Sequence, residues 1–517
     1  MGERDGPSPP VTKGGGVPRA LLLSALWIAT TAHVGSPDAW FEGKAGPYQV
    51  LALVRMPTVV PGVATVRVHV VDGPVDRVTA LITRYDASTA LPPPDVAKKV
   101  DGETDTYQTT LWVMAGGSNG VTIFVQGSRG SGSVLVPVMA VASGRLPLGP
   151  GLGALLVTLG VVLFAGAVTI IGTAVRESVL PPGETPDGKR RMRALLAMGG
   201  SAALCLAILG AGRFWWSSVD AAQRDRQYRP LASTTGISGA PGAPELRFAI
   251  TDSTWLMRGD QMWLRRHNAN AWSGLIPDHG KLMHLFLVRS DDAGGFAHLH
   301  PATTDSVAFT TALPPLASGE YRVYGDIVHE SGFTETLVST IRVGAARTSP
   351  WTPADSDDAW RGAPPSSTDP DPLGGGLEMR WLRDSTPLIA GRPASLRFSL
   401  VKPDGSAAAI EPYMGLPGHA VIARDDGSVF VHLHPSGTIS MASQQVFLLR
   451  AQGDTAPGAV AKAIAAAAPM AMPSGALPSV VSFPYAFPKA GTYHVWVQLR
   501  TPNGIQTGAF EVRVQPQ

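Results

Sequence analysis

Residues 283–301 read MHLFLVRSDDAGGFAHLHP, and residues 418–435 read GHAVIARDDGSVFVHLHP. In both stretches an apolar run is followed by a turn rich in Asp and Gly and then by a second apolar run, which is the pattern of a β-hairpin. The segments that follow also align, SGEYRVYGDIVHESGFTETLVSTIRV with AGTYHVWVQLRTPNGIQTGAFEVRV. The chain therefore contains two copies of one strand-rich unit, predicted at 245–344 and 377–517.

Composition supports a mainly β protein. The 517 residues include 45 prolines and 58 glycines, which favour many short strands and turns over long soluble helices. The formal net charge is only +2 and no dense run of Lys and Arg with interleaved aromatics occurs, which argues against nucleic acid as a partner. The single cysteine, Cys205, excludes a disulfide framework and leaves any metal chemistry to histidine, methionine and carboxylates.

Three apolar segments predict a membrane protein. Residues 1–32 combine basic residues, a short apolar stretch and small residues at its end, as a cleavable signal peptide does. The uncharged segments 146–175 and 194–212 are each long enough to cross about 30 Å of hydrocarbon as a helix. The loop 176–193 between them is rich in Lys and Arg and is predicted to be cytoplasmic. Both flanking parts of the chain are then expected on the extracytoplasmic side of an inner or plasma membrane.

The remaining segments complete the predicted organisation. Residues 33–145 alternate apolar and polar positions between Gly, Pro, Asn and Asp turns, which predicts a first exported β-sandwich. A polar stalk is predicted at 213–244 and a Pro/Asp/Ser/Gly linker at 345–376. Residues 453–478 are an Ala/Pro-rich insertion with room for one short helix. The predicted fold is mainly β, with three immunoglobulin-like β-sandwich domains and two transmembrane helices.

The hairpins bring histidines together. Facing residues of an antiparallel hairpin have a nearly constant sum of residue numbers, so the first turn sets His284 opposite His300 and the second sets His419 opposite His434. Strand alternation also places the first histidine of each HLH motif on the same face as the last. The sequence thus predicts one three-histidine metal site in each copy, formed by His284, His298 and His300 in the first and by His419, His432 and His434 in the second.

Other side chains are candidates to complete these sites. His279 and His329 are assigned to the first cluster, and His494 with Met414 or Met441 to the second. Nitrogen-rich sites suit Cu(II), Zn(II) or Ni(II), and a thioether favours Cu(I), so copper is the first choice and zinc the alternative. A different interpretation stays open, in which the histidines are polar-tipped packing residues or cap the hairpins through hydrogen bonds.

The first domain resembles a known group of exported domains. Its strands, VVPGVATVRVHV and YQTTLWVMAGGSNGVTIFVQGSRGSGSVLVPV, look like those of the YtkA-like, FixH-like and CopC-like immunoglobulin-like sandwiches, and the repeats resemble the same group at the level of the fold. The resemblance implies a bacterial periplasmic or cell-surface sandwich, in some relatives connected with copper handling. This domain lacks a methionine-rich loop and offers only His33, the first residue after the predicted signal peptide, and His69 as copper ligands.

These patterns predict a membrane-anchored, extracytoplasmic metal-binding protein that handles or delivers copper. The alternative is a structural or protein-interaction module of the cell envelope that binds another envelope protein. The sequence contains no GxSxG, HExxH or P-loop motif and no paired carboxylates at helical spacing, so an enzyme is not expected.

Overall fold

The computed structural model describes residues 38–84, 91–225, 227–228, 230–240, 242–251, 274–291, 293–344, 350–366, 369–453, 458–466 and 477–517. The predicted signal peptide and His33 lie outside these residues. The protein is mainly β, with several antiparallel sheets and two long apolar helices. This confirms the predicted fold class, while the immunoglobulin-like detail stays a prediction.

The N-terminal unit is built from nine strands. They are β1 Asp38–Ala45, β2 Tyr48–Arg55, β3 Gly62–Val70, β4 Arg77–Arg84, β5 Asp95–Val96, β6 Lys98–Lys99, β7 Thr106–Val113, β8 Gly117–Gly127 and β9 Gly130–Ala140. One sheet has the order β1-β2-β3-β7-β6 and the other β5-β4-β8-β9. Strands such as β2 alternate buried and half-buried residues, so their valines and alanines form the core between the two sheets.

The two helices are α1 Pro150–Glu177 and α2 Gly188–Asp225. Both are long and apolar enough to cross a membrane, and almost none of the side chains in their apolar windows is buried, unlike those of the core helix of a soluble protein. Helix α2 extends beyond the predicted span at both ends, through the preceding basic residues and into the segment predicted as a stalk. The good helix formers Ala, Gln, Arg and Met at these ends continue the helix without a break.

The first repeat is formed by strands on both sides of its histidine hairpin. These are β10 Ser233–Ala240, β11 Ala243–Ile250, β12 Leu275–Ile276, β13 His284–Arg289, β14 Phe296–Leu299, β15 Ala302–Thr303, β16 Ala308–Ala312, β17 Gly319–His329, β18 Thr334–Val343 and β19 Ala359–Arg361. One sheet has the order β10-β11-β16-β15, and the other β12-β17-β13-β14-β19 with β18 also paired to β17. The predicted stalk and linker thus each contribute a strand, β10 and β19, to this repeat.

The second repeat repeats the sheet pairing and adds helices. Its elements are β20 Asp371–Pro372, a 3₁₀ turn Gly374–Gly376, β21 Glu378–Trp381, β22 Ala394–Val401, β23 His419–Arg424, β24 Phe430–Leu433, α3 Met441–Ala451, α4 Ala459–Ala466, β25 Val480–Tyr485, β26 Gly491–Thr501 and β27 Gly504–Val514. The sheets have the orders β20-β21-β22-β25 and β24-β23-β26-β27. Helix α4 lies in the Ala/Pro-rich segment. Helix α3, which begins after the N-cap Ser440, was not predicted.

The predicted hairpin registers are confirmed. In the first hairpin Phe286 pairs with His298, and in the second Val421 pairs with His432. When this register is continued to the open ends of the hairpins, it sets His284 opposite His300 and His419 opposite His434. The leucine of each HLH motif points the other way, into the core of its own repeat.

The two repeats pack against each other through the second faces of their hairpin sheets. Phe296 stacks on Trp496 with ring centroids 4.8 Å apart, and Tyr324 stacks on Phe430 at 3.9 Å. Phe296 and Phe430 occupy equivalent positions in the two copies, as do Tyr324 and Trp496, so the contact is related by an approximate two-fold axis. Each such aromatic pair contributes about 0.5–1.5 kcal/mol beyond the burial of its surface. The histidines lie on this same face, at the open ends of the hairpins.

Candidate metal centre

Each repeat brings its three histidines together. We call His284, His298 and His300 the first trio, and His419, His432 and His434 the second trio. In each trio we compare the first ring with the second, the first with the third, and the second with the third. The ring centroids of these pairs are 5.4, 5.1 and 4.5 Å apart in the first trio, and 5.3, 5.1 and 4.7 Å apart in the second. The interplanar angles are 36°, 85° and 54° in the first trio and 34°, 81° and 57° in the second. The repeat has therefore preserved the arrangement of the rings as well as the motif.

The sequence predicted a separate three-histidine site in each repeat, but the two trios lie next to each other. The ring of His432 lies 5.2 Å from that of His284 and 5.6 Å from that of His298, across the contact between the repeats. The expectation was wrong because it treated each hairpin alone. Since both trios lie on the faces that pack together, they merge into one buried group.

His279 joins this group from the loop before β13. Its ring lies 5.1 Å from that of His419 and 5.0 Å from that of His434, and its Nε2 is 3.3 Å from Nε2 of His434. The assignment of His279 to the first cluster is therefore corrected, because the packing of the repeats carries its loop to the second trio. Met414 is its equivalent in the second repeat, and both residues adopt a positive φ, of 52° and 50°. The backbone of Met414 hydrogen-bonds to the ring of His279. We call the two trios and His279 the histidine cluster.

Two sets of ring nitrogens in the cluster could hold a metal ion. One set is His279, His419 and His434, and the other is His284, His298 and His432; within each set the ligand atoms lie within 4.8 Å of one another. Two neighbouring ligands bound to one ion at about 2.0–2.1 Å lie roughly 2.8–3.4 Å apart in square-planar or tetrahedral geometry. The separation of 3.1 Å between Nδ1 of His284 and Nε2 of His298 falls in this range, as does the His279–His434 distance. Both sets combine residues from the two repeats.

A third set whose ligand atoms lie within 4.8 Å of one another is His300 with Asp355 and Asp358. Oδ1 of Asp358 accepts from the backbone N–H of His300 at 2.7 Å and lies 3.1 Å from its Nδ1. The carboxylate of Asp355 is paired with Nζ of Lys281 at 2.5 Å. Because Asp358 holds Nδ1 of His300 in the protonated form, Nε2 is left with a free lone pair, as in metal sites where a carboxylate orients the ligand. The predicted linker supplies these aspartates, and its Asp-rich DSDDAW was the only signal for them.

Equivalent positions in the repeats support the central histidines differently. Oε1 of Gln498 lies 2.7 Å from Nδ1 of His298 and accepts a hydrogen bond from it. At the matching position, Asp326 places a carboxylate oxygen 3.5 Å from Nδ1 of His432. Backbone carbonyls orient two further rings: Asp278 O lies 3.2 Å from Nε2 of His284, and Ile439 O lies 3.1 Å from Nδ1 of His434.

The cluster is buried, and burial favours the neutral form of five of its imidazoles. Burial, reinforced by the neighbouring imidazoles, holds the pKa values of His284, His298, His419 and His434 well below the usual 6.5. Burial also lowers the pKa of His279, although Asp278 opposes it. Neutral imidazoles carry the lone pair that a metal requires.

Several ring nitrogens of the cluster make no hydrogen bond within the part of the chain that the structure describes. These atoms are Nε2 of His300, both nitrogens of His419, and Nε2 of His432. A buried polar atom without a partner costs about 1–3 kcal/mol. A metal ion that accepts these lone pairs would remove part of this cost, so the donor set fits a metal such as copper or zinc.

Three of the other predicted ligands, His69, His329 and His494, belong to none of the metal-binding groups of His, Cys, Asp and Glu found among the described residues. Met414 contacts the cluster through its backbone, which hydrogen-bonds to the ring of His279. Nδ1 of His69 lies 3.2 Å from the carbonyl of Thr104 on the first sandwich, His329 is buried at the end of β17 beside Phe333, Met441 begins helix α3, and Nδ1 of His494 lies 3.9 Å from the carboxylate of Glu511.

Comparison with known proteins gives the repeats a family match without a function. Residues 258–345 and 374–516 match the model of a family described as a domain of unknown function, DUF8832. No curated protein matches the chain.

Among solved structures, an engineered protein is 19% identical with a TM-score of 0.15, and the match covers 18% of this chain and 21% of that one. Salmonella alpha-2-macroglobulin reacted with methylamine is 9% identical with a TM-score of 0.20, covering 93% of this chain and 23% of that one. A putative membrane anchored protein from Corynebacterium diphtheriae is 8% identical with a TM-score of 0.15, covering 93% of this chain and 96% of that one. The chain thus spans less than a quarter of the first two proteins, and similarities this low carry no argument about function.

Proposed function

We propose that the chain is a membrane-anchored, extracytoplasmic copper-binding protein whose metal centre is shared between its two repeats. The observation that carries the proposal is the histidine cluster itself. Seven imidazoles converge in a buried space, and the ring arrangement of one trio is reproduced in the other to a few tenths of an ångström. A packing role requires neither convergent ring nitrogens nor a carboxylate, such as that of Asp358, that accepts from Nδ1 of His300.

The number of ligands supports two ions. A divalent metal with imidazole ligands binds about three or four of them, so seven histidines exceed the needs of one ion. We assign one ion to His279, His419 and His434, and the other to His284, His298 and His432 with Nε2 of His300 as the fourth ligand. Neutral imidazoles suit Cu(II) and Zn(II), and copper binds the more tightly of the two at a given nitrogen site.

The membrane anchor and its orientation complete the proposal. Basic residues flank the short connection between helices α1 and α2: Arg176 near the end of α1, and Lys189, Arg190, Arg191 and Arg193 at the start of α2. By the positive-inside rule this end of the two helices belongs in the cytoplasm. The N-terminal unit and the repeats then lie together outside. The resemblance of residues 33–145 to YtkA-like, FixH-like and CopC-like exported domains supports the same side. The absence of a catalytic motif in the sequence favours binding or delivery over catalysis.

A structural role is the second candidate, and one observation favours it. The rings of His284 and His434 each contact a backbone carbonyl, as expected for histidines that stabilise loops. In that case the cluster would be a polar part of the contact between the repeats. The protein would then act as an interaction module of the envelope.

Metal analysis of the full chain, purified in detergent and loaded with Cu(II), separates the two candidates. We expect about two tightly held ions per chain, and His300→Ala and His434→Ala should each remove about one while the protein stays folded. His494→Ala is the matched control, since that histidine lies outside the cluster, and it should keep both ions. Unchanged copper content in the two cluster variants together with a lower Tm would establish the structural role instead.

A further inference from the structure

A buried metal centre requires a path from solvent, and a cleft between the first sandwich and the repeats reaches the histidine cluster. The cleft has a volume of about 190 Å³, and its walls include Met56 and Thr58 of the first sandwich and His432 of the second repeat. A smaller cavity of about 30 Å³ shares part of this lining and is bordered by His284, His432 and His434. That volume is enough for at least one water-sized ligand.

The two cavities meet at a carboxylate. Asp326 lines both of them, together with Thr334, His432, Thr438 and Ser440. One of its oxygens accepts from the hydroxyl of Thr336 at 2.6 Å, and the other lies 3.5 Å from Nδ1 of His432. His432 is 9% exposed, and its Nε2 has no hydrogen-bond partner within the described residues. A cation that passes Asp326 therefore meets a free imidazole next.

The approximate two-fold axis provides an internal comparison. Gln498 occupies the position equivalent to Asp326, is 1% exposed and lines neither cavity. The two repeats therefore differ in charge at this position. The first has the carboxylate of Asp326, which lines both cavities, and the second has the neutral amide of Gln498, which lines neither. Packing alone does not require this difference, because both side chains support an equivalent histidine.

The first sandwich forms the outer wall of the cleft. Its edge strand β1 pairs with the segment after the second HLH motif: Glu42 N donates to Ser436 O at 2.8 Å, and Thr438 N donates to Trp40 O at 3.0 Å. Trp40 in turn packs into the core of the second repeat. The wall is therefore fixed to the segment that carries His434.

We propose that this cleft is the route by which the metal ion reaches the histidine cluster, with Asp326 as the carboxylate that takes the cation from solvent and passes it to His432. The inference rests on the proposed metal-binding function. The ligand in transit is a hydrated divalent cation, which exchanges water for a carboxylate oxygen and then for an imidazole nitrogen. Charge in a narrow cleft concentrates counter-ions, so the carboxylate acts on the rate of loading.

The test measures how fast the metal-free full chain, in detergent, takes up Cu(II) after rapid mixing. Asp326→Asn keeps the shape of the side chain and removes its charge. We expect loading to be at least roughly tenfold slower, within the range that focused charge gives. The copper concentration is kept saturating for the variant, because Asp326 also supports His432 and its loss can weaken binding. A second variant, Thr58→Cys in a Cys205→Ala background, allows a maleimide to be attached at the mouth of the cleft and should slow loading similarly.

Thr110→Cys in the same background is the control for the maleimide, since Thr110 is exposed on β7 of the same sandwich and lines neither cavity. Its labelled form should load at the unlabelled rate. If the chain takes up copper at an unchanged rate in both test variants, the route is wrong while the metal site stands. If the unmodified chain takes up no copper, the proposed function fails and this inference fails with it.

Discussion

Asp358→Asn should weaken metal binding through a residue that touches no metal. The Asp358 side chain is fully buried and holds His300 through both its backbone N–H and its Nδ1. An asparagine can keep one oxygen in place, but it removes the charge that makes Nε2 a better donor. Replacing such an orienting carboxylate costs about 10–100-fold in metal affinity, or about 1.4–2.7 kcal/mol. Competition with a chelator of known copper affinity, on the full chain, measures this loss.

The same change should also lower the stability of the metal-free protein. Oδ2 of Asp358 accepts from the backbone N–H of Asp355 at 3.1 Å, and an amide nitrogen there would leave that donor unpaired, at a cost of about 1–3 kcal/mol. Asp357→Asn is the matched control, because Asp357 pairs with Lys281 at 3.1 Å and with Arg500 and contacts no histidine. Equal copper affinity in wild type and Asp358→Asn would show that the carboxylate of Asp358 does not strengthen metal binding through His300. An equal loss in Asp357→Asn would show a general disturbance of the loop.

Three further predictions concern other parts of the account. The metal-free protein should lose stability as the pH falls below about 6.5, because burial holds the folded pKa values of His279, His284, His298, His419 and His434 below their unfolded value and the unfolded chain binds more protons; a urea midpoint that does not change between pH 7.5 and 5.5 would contradict this. Gly437→Ala should lower copper affinity as well as Tm. Gly437 has a φ of 118°, and a Cβ there would overlap the carbonyl oxygen of Trp40, beside the loop that carries His434. A lower Tm with unchanged copper affinity would contradict the expected effect on the metal centre. Reporters fused after Pro147 and after Gly242 should read as exported and one at Gly183 as cytoplasmic, and an exported Gly183 reporter would overturn the topology.

The hairpins and the faces of their histidines could be predicted because they depend on local rules. Turn position sets the register, and strand alternation sets the face. The pairing of Phe286 with His298 and of Val421 with His432 agrees with these rules. The composition of each trio therefore followed from the sequence alone.

The merging of the trios could not be predicted in the same way, because it depends on how two sheets pack over long distances in the chain. One signal was present: HLFLV at the start of β13 and HAVIA at the start of β23 are nearly continuous apolar runs, which indicate strands buried on both faces. A strand that is buried on both faces must pack against another part of the protein on its second face, and here that part is the other repeat. The crossing of His279 to the second trio follows from that packing.

The contribution of the linker was missed for a different reason. Residues 345–376 are rich in Pro, Asp, Ser and Gly, a composition shared by solvated linkers and by ordered loops. What orders this segment is its contacts: β19 pairs with β14, and Asp358 is buried against His300. Such contacts are specific to the folded chain and leave little trace in composition.

Anomalous X-ray diffraction from crystals of the copper-loaded full chain shows directly where copper binds. We expect copper peaks within the histidine cluster, about 2.0–2.1 Å from ring nitrogens contributed by both repeats, for instance His279 with His434 and His298 with His432. A copper-loaded crystal without a peak in the cluster, or with peaks only at other histidines such as His69, would contradict a metal centre shared between the repeats.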